Sequence, residues 1–107
     1  MRTIDRDELK TMRESGDPVT LIEVLPRESF EDFHLPGAIN SPVGSEDFDA
    51  RVRSSVGKDE EVVVYCRDAD CDASPKAAKR MERLGCARVS DYAAGKDDWK
   101  AANLPVE

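Results

Sequence analysis

The sequence predicts an α/β fold organised around a parallel sheet. Short branched apolar runs alternate along the chain with segments of helical periodicity, the order that β–α–β crossovers impose. The run Glu61–Tyr65, EVVVY, is continuously apolar after its first residue, as a parallel strand covered on both faces requires. Glycine and proline fall between these runs and punctuate them.

The first helix is expected over Asp5 to Ser15. Asp5 followed three positions later by Glu8 is an aspartate form of the capping box, Leu9 and Met12 share a face, and Gly16 stops the helix. Asp17-Pro18 makes a turn, and Val19 to Val24 reads as a buried strand. Pro26 to Phe33 fits a short helix with proline in its first turn. Pro36-Gly37 is a turn before a brief strand at Ala38-Ile39-Asn40, and Ser45 to Ser55 carries weaker helical spacing through Phe48 and Val52. After Glu61–Tyr65 comes the loop CRDADCDAS. Ser74 is expected to cap the next helix, with Pro75 at its first position and Gly85 ending it. ARVSDY reads as a further strand, and Gly95 to Ala102 as a last short helix carrying Trp99.

A chain of 107 residues reads as one domain over residues 1–107, and with 6% aromatic residues its core is expected to be mostly aliphatic. Charged residues of both signs make up 36% of the chain, as expected of a soluble folded domain. The net charge of −7 argues against nucleic acid as a partner, because neutralising phosphates requires a basic face. No apolar stretch approaches the roughly 18–20 residues that cross a bilayer, and MRTIDRDELK has no apolar signal core. A cytoplasmic setting with reduced thiols is therefore expected, without membrane partners. The three cysteines and one histidine lack zinc-ligand spacing, so neither a metal nor a disulfide scaffold is expected. No cofactor is implied.

Cys66 stands at the carboxyl end of the most apolar strand, where α/β sheets bind their ligands. Inward-turned loop amides and a helix N-terminus would favour its thiolate, lowering the thiol pKa and making it a nucleophile. The competing reading is a small buried hydrophobe at a strand end.

The order LIEVL, HLPGAIN, VVVYC with its loop, and YAAGKDDWKAANLPVE resembles a single-domain rhodanese-like sulfurtransferase, from about Leu21 to Glu107. The resemblance implies a five-stranded parallel sheet flanked by helices on both faces. It also implies a Cys66 persulfide that takes a sulfane sulfur from thiosulfate or a persulfide and hands it to a thiol or cyanide. The backbone of Arg67, Asp68, Ala69, Asp70, Cys71, Asp72 and Ala73 would then form the substrate cradle. A subset of the family is similar in its Cys-x4-Cys-x2-Ser loop. The chain departs from the family where Asp-Val-Arg is replaced by Glu23-Val24-Leu25, which keeps the carboxylate but loses the arginine and its salt bridge. A Gly-Gly before the last helix is Ala94-Gly95.

Asp68, Asp70 and Asp72 against the single Arg67 disfavour the thiosulfate dianion, and a small or protein-borne persulfide is the better-matched donor. Cys71 reads either as a resolving thiol or as a cysteine packed under the loop. Cys86 reads as core filler, Trp99 as a helix anchor, and His34 as a structural residue bonded to backbone near the turn. A related phosphatase would need an arginine six positions after the cysteine, where Asp72 stands. The alternative to an enzyme is a non-catalytic binding or redox-sensing module that uses Cys66 and Cys71.

Overall fold

A computed structural model describes residues 1–107. Five strands, β1 (Arg2–Ile4), β2 (Thr20–Glu23), β3 (Ile39–Asn40), β4 (Glu61–Tyr65) and β5 (Arg88–Tyr92), form one sheet in the order β1-β5-β4-β2-β3. Every pairing is parallel. Five helices connect them: α1 (Arg6–Glu14), α2 (Arg27–Asp32), α3 (Phe48–Ser55), α4 (Ala73–Arg83) and α5 (Gly95–Ala101). The capping box at Asp5 and Glu8 is formed in both directions, so two N-terminal amides of this short helical entry are satisfied locally.

β4 is the middle of the sheet, and its alternation divides the core in two. Val62, Val64 and Cys66 face α3 and α4 with Ile22, Val24, Phe48, Val52, Ala77, Ala78 and Met81. Val63 and Tyr65 face the other way, with Leu9 of α1, Leu35, Tyr92 and Trp99 of α5. Fully burying each of these larger aliphatic or aromatic side chains contributes about 1.5–3 kcal/mol, which is why a continuous apolar run sits where both faces are covered. Both outer strands are short, three residues for β1 and two for β3.

Several boundaries differ from expectation. β1 was not expected from its residues: two of its three side chains are exposed, so only Ile4 carries a burial signal. α3 starts at Phe48, later than Ser45. α4 starts at Ala73, so Ser74 is its second residue rather than its cap, and the capping position falls to Asp72. Asp72 makes no capping hydrogen bond; its carboxylate pairs with Lys76 at 2.9 Å instead.

One ion pair lies inside the structure. Lys96 and Glu23 are both fully buried, with Lys96 Nζ 3.1 Å from Glu23 Oε2. The ammonium donates further to the carbonyls of Ser29 at 2.6 Å and Phe33 at 2.8 Å, which uses its three protons. It also lies 4.5 Å from the Phe33 ring centre. Burial pushes the Glu23 carboxyl above its ordinary pKa, while the Lys96 ammonium and then the Tyr65 hydroxyl pull it back. The salt bridge that the sequence lacks at Leu25 is thus supplied from α5.

Replacing only one partner would strand a buried charge. Lys96→Met is expected to cost about 3–5 kcal/mol at neutral pH in urea unfolding, and Glu23→Gln/Lys96→Met to recover more than half of it. The single variant's deficit should shrink as pH falls, because its Glu23, raised in pKa by burial, protonates on folding and then needs no cation.

Candidate active site

Cys66 is the first residue beyond β4, and it keeps the strand's alternation, so its side chain points toward α4. The chain then runs through residues 67–72 and turns into α4. Two hydrogen bonds from the start of α5 hold the beginning of this loop. The Lys96 N–H donates to the Cys66 carbonyl at 3.0 Å, and the Asp97 N–H to the Arg67 carbonyl at 2.9 Å. All peptide bonds are trans, so the N–H groups of Arg67 and Asp68 point opposite those carbonyls, away from α5. The docked helix thereby sets the orientation of the first two loop amides.

This close approach needs glycine. Gly95 has φ +78°, and a Cβ there would stand 2.5 Å from the Arg67 carbonyl carbon and oxygen and 2.6 Å from the Asp68 nitrogen. Of the two glycines usual in the family, the one retained at Gly95 is the one that touches the loop.

The sulfur itself is enclosed. Cys66 has no exposed surface, and its thiol has two acceptors, the Cys71 carbonyl at 3.6 Å and Ser74 Oγ at 3.5 Å. Burial, and next the Cys71 thiol beside it, push the Cys66 thiol up to about 11; the hydroxyl and the backbone N–H of Ser74 pull the other way. The expectation of a lowered thiol pKa is therefore reversed in this closed state. A buried sulfur facing a carbonyl favours its protonated form.

The expected cradle is also narrower than the whole loop. Asp68 bends residues 68–71 on themselves: its Oδ1 accepts the Asp70 N–H at 3.1 Å and its carbonyl the Cys71 N–H at 3.2 Å. Those two amides are spent inside the loop. The amide that supports the sulfur is that of Ser74, at the start of α4. The three loop carboxylates do not line the sulfur. Asp68 is occupied by the Asp70 amide, Asp70 is exposed, and Asp72 is held below its ordinary pKa by Lys76. Ala69 is exposed on the rim, and Ala73 opens α4. Arg67 reaches away, to Asp97 at 3.4 Å and Ser29 Oγ at 3.2 Å.

Cys66, Cys71 and Ser74 are thus brought together, and all three cysteines are free thiols. Cys86 is buried in the core beside α4, and Trp99 is buried with its indole N–H on the Pro105 carbonyl at 2.8 Å. His34 Nδ1 bonds the Phe30 carbonyl at 2.8 Å and its ring stacks on Phe30, outside this site. No group of three or more His, Cys, Asp or Glu could hold a metal ion, and no helix is long and apolar enough to cross a membrane. Two further residues went unread in the sequence. Lys96 could have been found from Glu23, since a carboxylate in an apolar strand demands a cation. Asp91 of β5 is buried on the same face as Val64 and Cys66, and its Oδ1 has no hydrogen-bond partner.

The family model of the rhodanese-like domain matches residues 5–102. The chain belongs to the rhodanese-like family. As a rhodanese-like domain it is 38% identical over 104 residues to the HTH-type transcriptional regulator Rv0324 of Mycobacterium tuberculosis, spanning 97% of this chain and 44% of that protein. It is 36% identical over 84 residues to the adenylyltransferase and sulfurtransferase UBA4 of Candida albicans, spanning 74% of this chain and 19% of that protein. The chain thus spans less than half the length of these curated relatives. The solution structure of the rhodanese-like domain of the Anabaena protein Alr3790 superposes with a TM-score of 0.86 at 30% identity, over 100% of this chain and 79% of that one.

Gly95→Ala should therefore damage the site as well as the fold. A loss of about 3 kcal/mol is expected, from left-handed backbone strain and overpacking together. Urea unfolding would measure the loss, and faster alkylation of Cys66 by iodoacetamide would report the loosened loop.

Proposed function

We propose that this domain is a sulfurtransferase in which Cys66 carries a sulfane sulfur as a persulfide. The observation that carries the reading is a free thiol at the carboxyl end of the central strand, with Ser74 Oγ at the start of α4 3.5 Å from its sulfur. Family membership supports it, as does the similarity to a relative named a sulfurtransferase.

In the first step the Cys66 sulfur attacks the outer sulfur of a donor R–S–SH. The Cys66–sulfur bond forms, the donor's S–S bond breaks, and the donor leaves as a thiolate. In the second step an acceptor thiolate takes the outer sulfur and Cys66 departs, so no external oxidant or reductant is needed. The resting loop covers the sulfur with the Cys71 carbonyl, and the donor enters when that contact opens. Arg67, the only cation of the loop, is turned to Asp97 and Ser29, and Lys76 is paired with Asp72, so no free cation meets a dianion at Cys66, which favours a low-molecular-weight or protein-borne persulfide over thiosulfate. The acceptor is a thiol, small or on a protein, in a reducing cytoplasmic setting that keeps all three cysteines free.

A second reading has its own support. The Cys71 carbonyl covers the Cys66 sulfur at 3.6 Å, which places the two cysteines side by side, and one relative is named a transcriptional regulator. In a sensing module the Cys71 thiolate would attack the inner sulfur of the Cys66 persulfide, forming a Cys66–Cys71 disulfide and releasing hydrosulfide.

Whole-protein mass separates the two. Incubation with glutathione persulfide should add one sulfur atom at Cys66 and none in Cys66→Ser. Loss of two hydrogens without sulfur retention would favour the sensor. Thiosulfate should load Cys66 at least ~10-fold less efficiently than the persulfide; an equal or higher efficiency would remove the argument from the missing cation. Cys71→Ser should hold the added sulfur longer if Cys71 resolves it.

A further inference from the structure

Beside Cys66 the hydrophobic core comes to the surface. Glu23 of β2 pairs with Tyr65 of β4 in the sheet register, and the Val24 N–H bonds the Tyr65 carbonyl at 3.1 Å. Val24 is therefore the neighbour of Cys66 one row further on, buried on the same face. The apolar residues beyond it are only partly buried. Leu25 and Val43 pack against the cluster that holds Cys66 and Val24, and Cys71 and Ala73 do so from the loop side. Leu25 and Val43 are fixed through their backbones: Asn40 Nδ2 donates to the Leu25 carbonyl at 2.9 Å, and the Val43 N–H to the Val24 carbonyl at 3.1 Å. The polar neighbours of the sulfur, the Cys71 carbonyl and Ser74 Oγ, belong to the loop and α4. Toward β2 its neighbour in the sheet is Val24. Arg51 of α3 and Arg80 of α4 are engaged by Asp47 and Asp49.

We infer that Leu25 and Val43 are the specificity wall for the group R of the donor R–S–SH and the acceptor R–SH, and that they select an uncharged alkyl or aryl group. During transfer the Cys66 sulfur, the moving sulfur and the sulfur of R lie in line. The sulfur of R then stands about 4 Å from Cys66 Sγ, two S–S lengths, and neighbouring strands are about 4.8 Å apart. With the α4 side taken by Cys71 and Ser74, R begins over Val24 and runs to Leu25 and Val43. Each methylene of R fully covered there contributes about fourfold in rate. A carboxylate on R would lose water and find no free cation in exchange. Because hydrogen bonds already hold both wall residues, little ordering is lost when R arrives.

This inference deepens the sulfurtransferase reading and rests on it for the sulfur step alone. The test therefore begins with electrophiles that need no sulfur chemistry. N-methyl- and N-butyl-iodoacetamide are both neutral and react identically: the Cys66 sulfur bonds to carbon, iodide leaves, and the thiol proton goes to buffer. Peptide mass follows each at Cys66, and each rate is divided by that of free glutathione. The ratio of butyl to methyl cancels both the opening of the loop and the acidity of the thiol. In the native chain it should be at least ~10-fold, the effect of three methylenes partly covered. Leu25→Asn should bring it close to one, and Val43→Thr should lower it. Leu84→Asn removes a partly buried side chain from the same cluster at the far end of α4, and should leave the ratio as it was.

A native ratio near one would overturn the inference, whether or not any variant folds. So would a ratio that Leu84→Asn lowers as much as Leu25→Asn, since that is what general loosening of the core would give. Sulfur transfer is run alongside: the chain loaded by glutathione persulfide is offered butanethiol or 2-mercaptoethanol, and whole-protein mass follows loss of the added sulfur. Butanethiol should unload Cys66 several-fold faster. Equal unloading would overturn the inference and leave the sulfurtransferase reading standing. No sulfur gain with the alkylation ratio intact would remove that reading and leave the apolar wall.

Discussion

The buried contact between Lys96 and Glu23 is the constraint around which the site is assembled. A lysine enters the interior only if each of its protons finds an acceptor. Here the acceptors come from β2, from Ser29 within α2 and from Phe33 at its C-terminal cap. Satisfying them fixes where α5 begins, and that beginning places the Lys96 and Asp97 amides against the carbonyls of Cys66 and Arg67. One side chain thus ties the central strand's exit, the strand beside it and two helices into a single geometry. Gly95 is the complement of this arrangement, since the same docking leaves no room for a Cβ.

On the opposite face of β4 the sulfur is surrounded by groups that favour opposite protonation states. The Cys71 carbonyl and burial favour the thiol, while the Ser74 amide and hydroxyl favour the thiolate. The structure holds the first of these states. The loop's acidic residues contribute little to this balance: Asp72 is neutralised by Lys76, Asp70 lies in solvent, and Asp68 is used to shape the turn. Chemistry at Cys66 therefore depends on exchanging the Cys71 contact for a substrate, not on overcoming a ring of carboxylates.

Much of this fold was legible because its signals are local. The continuous EVVVY run, the capping box at Asp5 and the glycine and proline punctuation each report on neighbours in sequence, and each corresponds to an element of the structure. Cys66 was legible for the same reason: the end of a central strand is a place that topology defines. What stayed hidden depends on partners distant in sequence. Lys96 and Glu23 meet across 73 positions, and nothing in GKDDW marks its lysine as the one that turns inward. Asp91 looks like an ordinary strand residue until the register sets it beside Val64. β1 is too short and too exposed for its composition to announce it.

The brevity of the outermost strands has a consequence for how such a unit can be used. A sheet flank of three residues on one side and two on the other offers few free backbone donors and acceptors, so a foreign segment gains little by annealing onto it. Covalent neighbours of many kinds can then be joined to the domain without competing for its hydrogen-bonding rims.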